Sequence, residues 1–302
     1  MQTTSLTVSA PNQFIERNGR RLAYRRFGAG QPILFCNRFR GDLDTWDPAF
    51  LDALAAQGFD IIIFDYSGLG LSTGERTYNP LVLAKDVIDL LDALELPQVV
   101  LGGWSVGGLV AQVVFATAPQ RLSHLVLLGT NPPGELPKMA EQLFYDLAGK
   151  PENDFDDYVQ LFFEPRSAAS RQAAADSFAR LQLRQTERSV PVSGEWAGSL
   201  LAATGGKPRS NFFPAPAVLE ALKHTTLPIL HIGGDHDISF PVENWYALNE
   251  QLPTMQLHTF PQAGHGPHQQ YPEASAQTIA TFVRTATATP QPAAVQSQTV
   301  AS

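Results

Sequence analysis

The chain of 302 residues is long enough for one large α/β domain, or one domain with an insertion, and its 44% hydrophobic content suffices for a substantial core. With 21 Lys and Arg against 29 Asp and Glu, the formal charge is −8 and no basic run occurs, so no nucleic-acid partner is expected. A single cysteine, Cys36, excludes an intramolecular disulfide and makes a cysteine-based metal site improbable; in its apolar run it reads as a small core residue.

Residues 1–11 are expected to be a flexible N-terminus. They lack a basic n-region and an apolar h-region, and no run of about eighteen apolar residues occurs anywhere. The expectation is therefore no membrane partner and a cytoplasmic location. Residues 14–16 and 21–27 alternate in polarity around the turn signal Asn18-Gly19 and read as two antiparallel strands. Residues 31–36 form a continuous apolar run, as a strand covered on both faces does. A loop from Asn37 to Asp42 follows, then a helix near 47–57, a buried strand over 59–65 and a glycine-rich loop over 67–72. The helix over about 81–94 carries Val87, Leu90, Leu91 and Leu94 at helical spacing. Strands follow at 97–101 and 125–128.

This alternation implies a mostly parallel sheet with right-handed crossovers. The rhythm breaks at Pro132-Pro133. From there to about 226 the chain reads as helical and rich in aromatics, including Tyr145, Tyr158 and Trp196. Strands resume at 227–232 and 255–260, and a helix near 272–283 closes the fold. The expected organisation is an α/β core over 12–130 and 227–284, a helical cap over 131–226, and a disordered Ala/Thr/Pro/Gln-rich tail over 285–302.

The chemistry centres on residues 101–108, Leu-Gly-Gly-Trp-Ser-Val-Gly-Gly. A strand runs into Gly-x-Ser-x-Gly and out into a helix, the setting of a nucleophile elbow. Gly103 and Gly107 remove side chains that would collide across the sharp turn, and Gly102 and Gly108 widen the clearance. Ser105 is thus lifted to the helix N-terminus, where the Val106 amide faces a developing oxyanion. The alternative is a glycine-rich turn whose serine only caps the helix; the doubled glycines favour the elbow.

A base and an acid are sought after the strands that follow, because ligand chemistry in an open parallel sheet gathers at the carboxyl ends of its strands. After the last strand come Gly264-His265-Gly266, and after the one before it Gly233-Gly234-Asp235-His236-Asp237. His265 can take the Ser105 proton while a carboxylate from this second loop orients it. The remaining histidines read otherwise. His231 and His258 fall in strands, His124, His224 and His236 at the surface or in loops, and His268 beside the site in a supporting role. No close ligand pair suggests zinc.

With the order Ser…Asp…His, the elbow, the loop ending in Pro241, Gly264-His265 with Pro272-Glu273, and Asp65…Gly68…Gly70…Ser72, the chain resembles the α/β-hydrolase fold superfamily from about 14 to 283. The resemblance implies an eight-stranded, mostly parallel sheet flanked by helices. It selects Asp237 over Asp235 as the acid, since the acid lies about four residues before the loop proline; Asp235 is then expected to brace the loop. It also implies a second oxyanion amide after the third strand, from Phe39. There the chain departs from the family, with Asn37-Arg38 where His-Gly is common. Arg38 and Arg40 are expected to pair with Asp42 and Asp44, the usual fate of surface charges. The alternative puts positive charge beside the site and favours an anionic substrate. Ser67 likewise replaces a frequent arginine, and Trp104 either lines the pocket or packs under the elbow.

The expected function is a serine hydrolase that cleaves an ester, thioester or lactone of a small, partly apolar substrate through an acyl-enzyme. No cofactor and no metal are implied. Arg38, Trp104, Tyr145, Tyr158 and Trp196 are the candidate substrate contacts. A carbon–carbon hydrolase or perhydrolase on the same three residues, a cofactor-free dioxygenase, and a non-catalytic receptor are the alternatives, since fold alone does not fix function.

Overall fold

A computed structural model describes residues 5–203 and 215–286. An eight-stranded sheet runs through its centre in the order β1-β2-β4-β3-β5-β6-β7-β8. The strands are β1 (Gln13–Arg17), β2 (Arg20–Gly28), β3 (Gln31–Cys36), β4 (Phe59–Phe64), β5 (Val99–Trp104), β6 (Leu122–Leu128), β7 (Ile229–Gly234) and β8 (Met255–Phe260). The β1/β2 and β2/β4 pairs are antiparallel and the other five are parallel.

Period-two alternation divides the strand side chains between two cores. Ile33 and Phe35 of β3, with Ile61 and Ile63 of β4, join Phe50, Leu51 and Leu54 of α2 (after α1, Leu6–Ser9; α2 is Pro48–Ala56). Leu34, Cys36, Ile62 and Phe64 point the other way, toward α3 (Pro80–Ala93) and α4 (Val106–Thr117). Both faces are therefore covered, which is why these strands read as unbroken apolar runs rather than as alternating ones. Each fully buried Leu, Ile or Phe contributes about 1.5–3 kcal/mol relative to exposure.

Between β6 and β7 lies the cap: α5 (Gln142–Ala148), α6 (Phe155–Phe162), α7 (Ala168–Leu181), α8 (Gly194–Ala203) and α9 (Ala215–His224). Asp154 opens α6 with a reciprocal capping box to Asp157. Asp47, the N-cap of α2, accepts Ser177 Oγ at 2.6 Å and Arg180 Nε and Nη2 at 2.8 and 2.7 Å, which bolts α7 to the core. Short helices α10 (Glu243–Tyr246) and α11 (Pro267–Gln270) precede α12 (Pro272–Thr285), which packs on α2.

Two sequence expectations change. The stretch over 1–11 contains a helical turn, Leu6–Ser9, whose Thr7 donates from both N and Oγ1 to Asp52 Oδ1 at 2.8 and 2.7 Å. Arg184 of the cap also holds the carbonyls of Val8 and Ala10. His124 lies inside β6, only 9% exposed, rather than in a surface loop. The tail expected over 285–302 falls, from 287 on, outside the described residues, as does 204–214 of the cap. Among the described residues no helix is long and apolar enough to cross a membrane.

Candidate active site

The order of connections places the site. From β3 the chain crosses to β4 on one side, and β5 then returns to the other flank of β3. The loops leaving β3 and β5 diverge there and open a crevice at the carboxyl ends of the strands. Into it project the Asn37–Gly41 loop and the β5–α4 turn.

Ser105 occupies that turn with φ 59° and ψ −123°, a conformation costly for a residue with a Cβ. Its neighbours leave no alternative. A Cβ on Gly103 would stand 2.3 Å from Gly107 O, and one on Gly107 would stand 2.1 Å from Cys36 O. The strained turn is locked by Ser105 N donating to Leu128 O (2.9 Å) and by Thr130 Oγ1 donating to Ser105 O (2.8 Å). The Ser105 side chain does not cap α4, against the alternative that it is a structural serine, and it lines the cleft without a hydrogen bond to another described residue. Proton transfer to His265, which lines the same cleft, requires the pair to approach to about 2.6–3.2 Å, a contact that often tightens only with substrate bound.

His265 Nδ1 lies 2.8 Å from Asp237 Oδ2. Asp237 is buried, and its Oδ1 accepts the amides of Ser239 and Phe240 at 2.7 and 2.8 Å. Asp235 is exposed and instead accepts from Ala263 N at 3.4 Å, with His236 Nδ1 beside it at 2.5 Å. The His265 carbonyl accepts Trp104 Nε1 at 2.8 Å, and its ring stacks on Phe162 at 6.0 Å and 24°. The imidazole is thus fixed from its acid, its backbone and one face.

The Asn37–Gly41 loop explains the departure from His-Gly. Asn37 Nδ2 donates to Asp42 O (2.6 Å) and Thr45 Oγ1 (3.0 Å), while Asn37 Oδ1 accepts Arg38 N at 2.8 Å. Arg40 N donates to Tyr78 Oη at 2.7 Å. The amides on either side of Phe39 are therefore occupied, whereas Phe39 N has no acceptor among the described residues. Val106 N, at the first position of α4, has no intrahelical acceptor either. Both amides are thus without an acceptor among the described residues, and Phe39 lines the same cleft as Ser105.

The arginines do not pair as expected. Asp44 is taken by Arg25, a β2 residue 1% exposed, at 2.7 Å. Asp42 accepts the Asp44 amide, and burial raises its pKa to about 6. Arg40 donates to the carbonyls of Ala148, Lys150 and Pro151 and to Asn153 Oδ1, stapling the loop to the cap. Arg38 lies over the rings of Trp104 and Phe162, 5.1 and 4.7 Å from their centroids.

The cleft holds about 390 Å³. Of the expected substrate contacts, Arg38 and Tyr158 line it. Trp104 does not: it is fully buried under the elbow between Trp46, Phe162 and His268. Tyr145 and Trp196 are also absent from its wall, Trp196 being stacked on Tyr78. The helices present Phe144, Leu161, Phe162 and Phe178 there instead, and Ser239 adds a buried Oγ without a partner among the described residues. Nothing in the sequence singles out Phe144 or Phe162 among the aromatics of the cap, and nothing marks Ser239. His268 is fully buried with both ring nitrogens unpartnered among the described residues, and burial, reinforced by His265 and Arg38, lowers its pKa to about 3. Among the described residues no cluster of three or more His, Cys, Asp or Glu is placed to hold a metal.

Sheet, elbow and cap together define an α/β-hydrolase-type protein. A family model described as the alpha/beta hydrolase fold matches residues 31–270, and the chain belongs to that family. An alpha/beta hydrolase fold protein from Chitinophaga pinensis superposes with a TM-score of 0.77 at 28% identity, covering 92% of this chain and 99% of its own. A pimeloyl-[acyl-carrier protein] methyl ester esterase of Vibrio campbellii is 28% identical over 258 residues, 82% of this chain and 92% of its own length. The enol-lactonase of Burkholderia xenovorans, at 19% identity and TM-score 0.68 over 90% of this chain and 100% of its own, is similar in fold.

Proposed function

We propose that this chain is a serine hydrolase that cleaves an ester, thioester or lactone of a small, partly apolar substrate through an acyl-enzyme. The observation that carries the reading is the convergence on one cleft of Ser105 in its strained elbow and His265 held by Asp237 at 2.8 Å. Ser105 Oγ attacks the carbonyl carbon as His265 Nε2 takes its proton. Asp237 stabilises the imidazolium, and the amides of Phe39 and Val106 receive the negative charge on the carbonyl oxygen. His265 then returns the proton to the leaving alcohol or thiol, and water repeats the sequence to release the acid.

The choice of an ester bond over a carbon–carbon bond draws on the esterase name of the Vibrio relative. The apolar wall supplied by Phe144, Leu161 and Phe178 suits an alkyl or aryl group. A panel of p-nitrophenyl esters of graded chain length, with lactones alongside, tests the reading on wild type and Ser105→Ala. Turnover that depends on Ser105 is expected. Full turnover by Ser105→Ala would transfer the assignment to a histidine-based or non-catalytic reading.

A further inference from the structure

The hydrolase cleft contains a cation without a counterion. Arg38 lines it beside Ser105 and His265, yet makes no ion pair within 4.0 Å among the described residues, while Arg25, Arg26 and Arg180 each hold a carboxylate at 2.6–2.7 Å. The undescribed stretches 1–4, 204–214 and 287–302 contain no Asp or Glu that could supply one. Of the guanidinium's donors, Nη1 reaches Phe39 O at 2.7 Å, Nε is buried with no partner, and Nη2 has no acceptor among the described residues. A buried donor left unsatisfied is costly, and native proteins tolerate few. The rings of Trp104 and Phe162 hold the planar cation in place. A second orphan, Ser239 Oγ, lies in the wall of the same cleft.

Arg40 is the contrast. It stands two residues away on the same loop, and its Nη1 and Nη2 donate to three cap carbonyls and Asn153. Both arginines line the cleft, but both terminal nitrogens of Arg40 are engaged by the cap, whereas of those of Arg38 only Nη1 has an acceptor among the described residues. Asp42 and Asp154 also line the cleft, but Asp42 accepts the Asp44 amide and Asp154 caps α6, and neither stands within 4.0 Å of Arg38.

We propose that Arg38 anchors a carboxylate carried by the substrate, so that the preferred substrates are half-esters, thioesters or lactones bearing a second, free carboxylate. This rests on the hydrolase reading. The planar fork matches a carboxylate, and a charge-assisted bidentate pair is stronger than a neutral hydrogen bond.

The test pairs p-nitrophenyl half-esters of straight-chain dicarboxylic acids, from glutarate to suberate, with the neutral esters in which a methyl group replaces the free carboxylate. For the best-fitting length, wild type should favour the charged ester, and Arg38→Gln should cut that preference in kcat/KM by about tenfold or more, with Arg38→Lys recovering part of it. Raising ionic strength should narrow the wild-type preference, a readout that needs no variant should Arg38→Gln fail to fold. Binding of free adipate to Ser105→Ala, measured by calorimetry and lost in the double variant with Arg38→Gln, reads the anchor without turnover. Equal loss for charged and neutral esters at every length, or a charged-ester preference untouched by Arg38→Gln, would overturn the proposal. Failure of wild type to turn over any ester, with adipate still bound through Arg38, would count against the hydrolase reading and leave the anchor standing.

Discussion

Asp237 divides its two oxygens between His265 and its own loop: Oδ2 meets His265 Nδ1 at 2.8 Å, and Oδ1 accepts the amides of Ser239 and Phe240. The carboxylate cannot turn without breaking two backbone hydrogen bonds, so in the proposed mechanism a proton on His265 Nδ1 would be held there, with Nε2 left to act on Ser105. Asp237→Asn keeps the shape but presents an amide, which favours the wrong imidazole tautomer. Turnover is expected to fall by up to about 10⁴-fold with the fold intact. Asp235→Asn, at an exposed position, should change stability by under about 1 kcal/mol and turnover little. Steady-state kinetics and thermal unfolding of both variants check the ranking; the reverse order would place the acid two residues earlier.

The cap separates neighbouring aromatics by role. Phe144 and Phe178 face the cleft, whereas Tyr145, one residue on from Phe144, does not. Phe178→Ala should therefore reshape the ester chain-length profile by about tenfold between short and long acyl groups, and Tyr145→Ala should leave it as in wild type. A profile unchanged by Phe178→Ala would make the cap a structural cover and not a selective wall.

His268 makes stability depend on pH. Its ring is enclosed by Trp46, Phe50 and Trp104, and its pKa is pushed down to about 3 by burial first, then by His265 and Arg38. In the unfolded chain the ring takes a proton below about pH 6.5; in the folded chain it stays neutral down to about 3. The unfolded state binds more protons in that window. Stability from this residue is therefore complete above about 6.5 and falls as pH drops, by about 1.4 kcal/mol per pH unit. His268→Phe keeps the ring packing and removes the titration. Urea midpoints at about pH 5 and about pH 7.5 should lie closer together in the variant than in wild type. They should not coincide, because buried His231, also lowered to about 3, titrates in the same window. An unchanged gap would show that His268 is already solvated in the folded protein.

What the sequence disclosed follows from local physics. The central strands were legible because runs such as 31–36 and 59–64 are largely apolar on both faces, the first two because they alternate in polarity around Asn18-Gly19, and the elbow because its turn admits no Cβ at Gly103 or Gly107. What it concealed depends on distant residues. Asp44 was expected to meet Arg38 or Arg40, but Arg25, nineteen positions earlier on β2, reaches it first. Phe144 and Tyr145 differ by one position, roughly 100° around the helix axis, and nothing local says which one faces the cleft. Trp104 lies at the end of β5, and it is the distant Trp46, Phe162 and His268 rings packed against it that make it a core residue.

The proposed hydrolase chemistry requires Ser105 to be the covalent nucleophile. The most direct measurement is intact-protein and peptide mass spectrometry after treatment with a fluorophosphonate, which traps an activated serine by the same attack that an ester would undergo. A single phosphonyl adduct on the peptide containing Ser105 is expected in wild type, with none in Ser105→Ala and much slower labelling in Asp237→Asn. An adduct on another residue, or no adduct on a folded protein that still turns over esters, would contradict it.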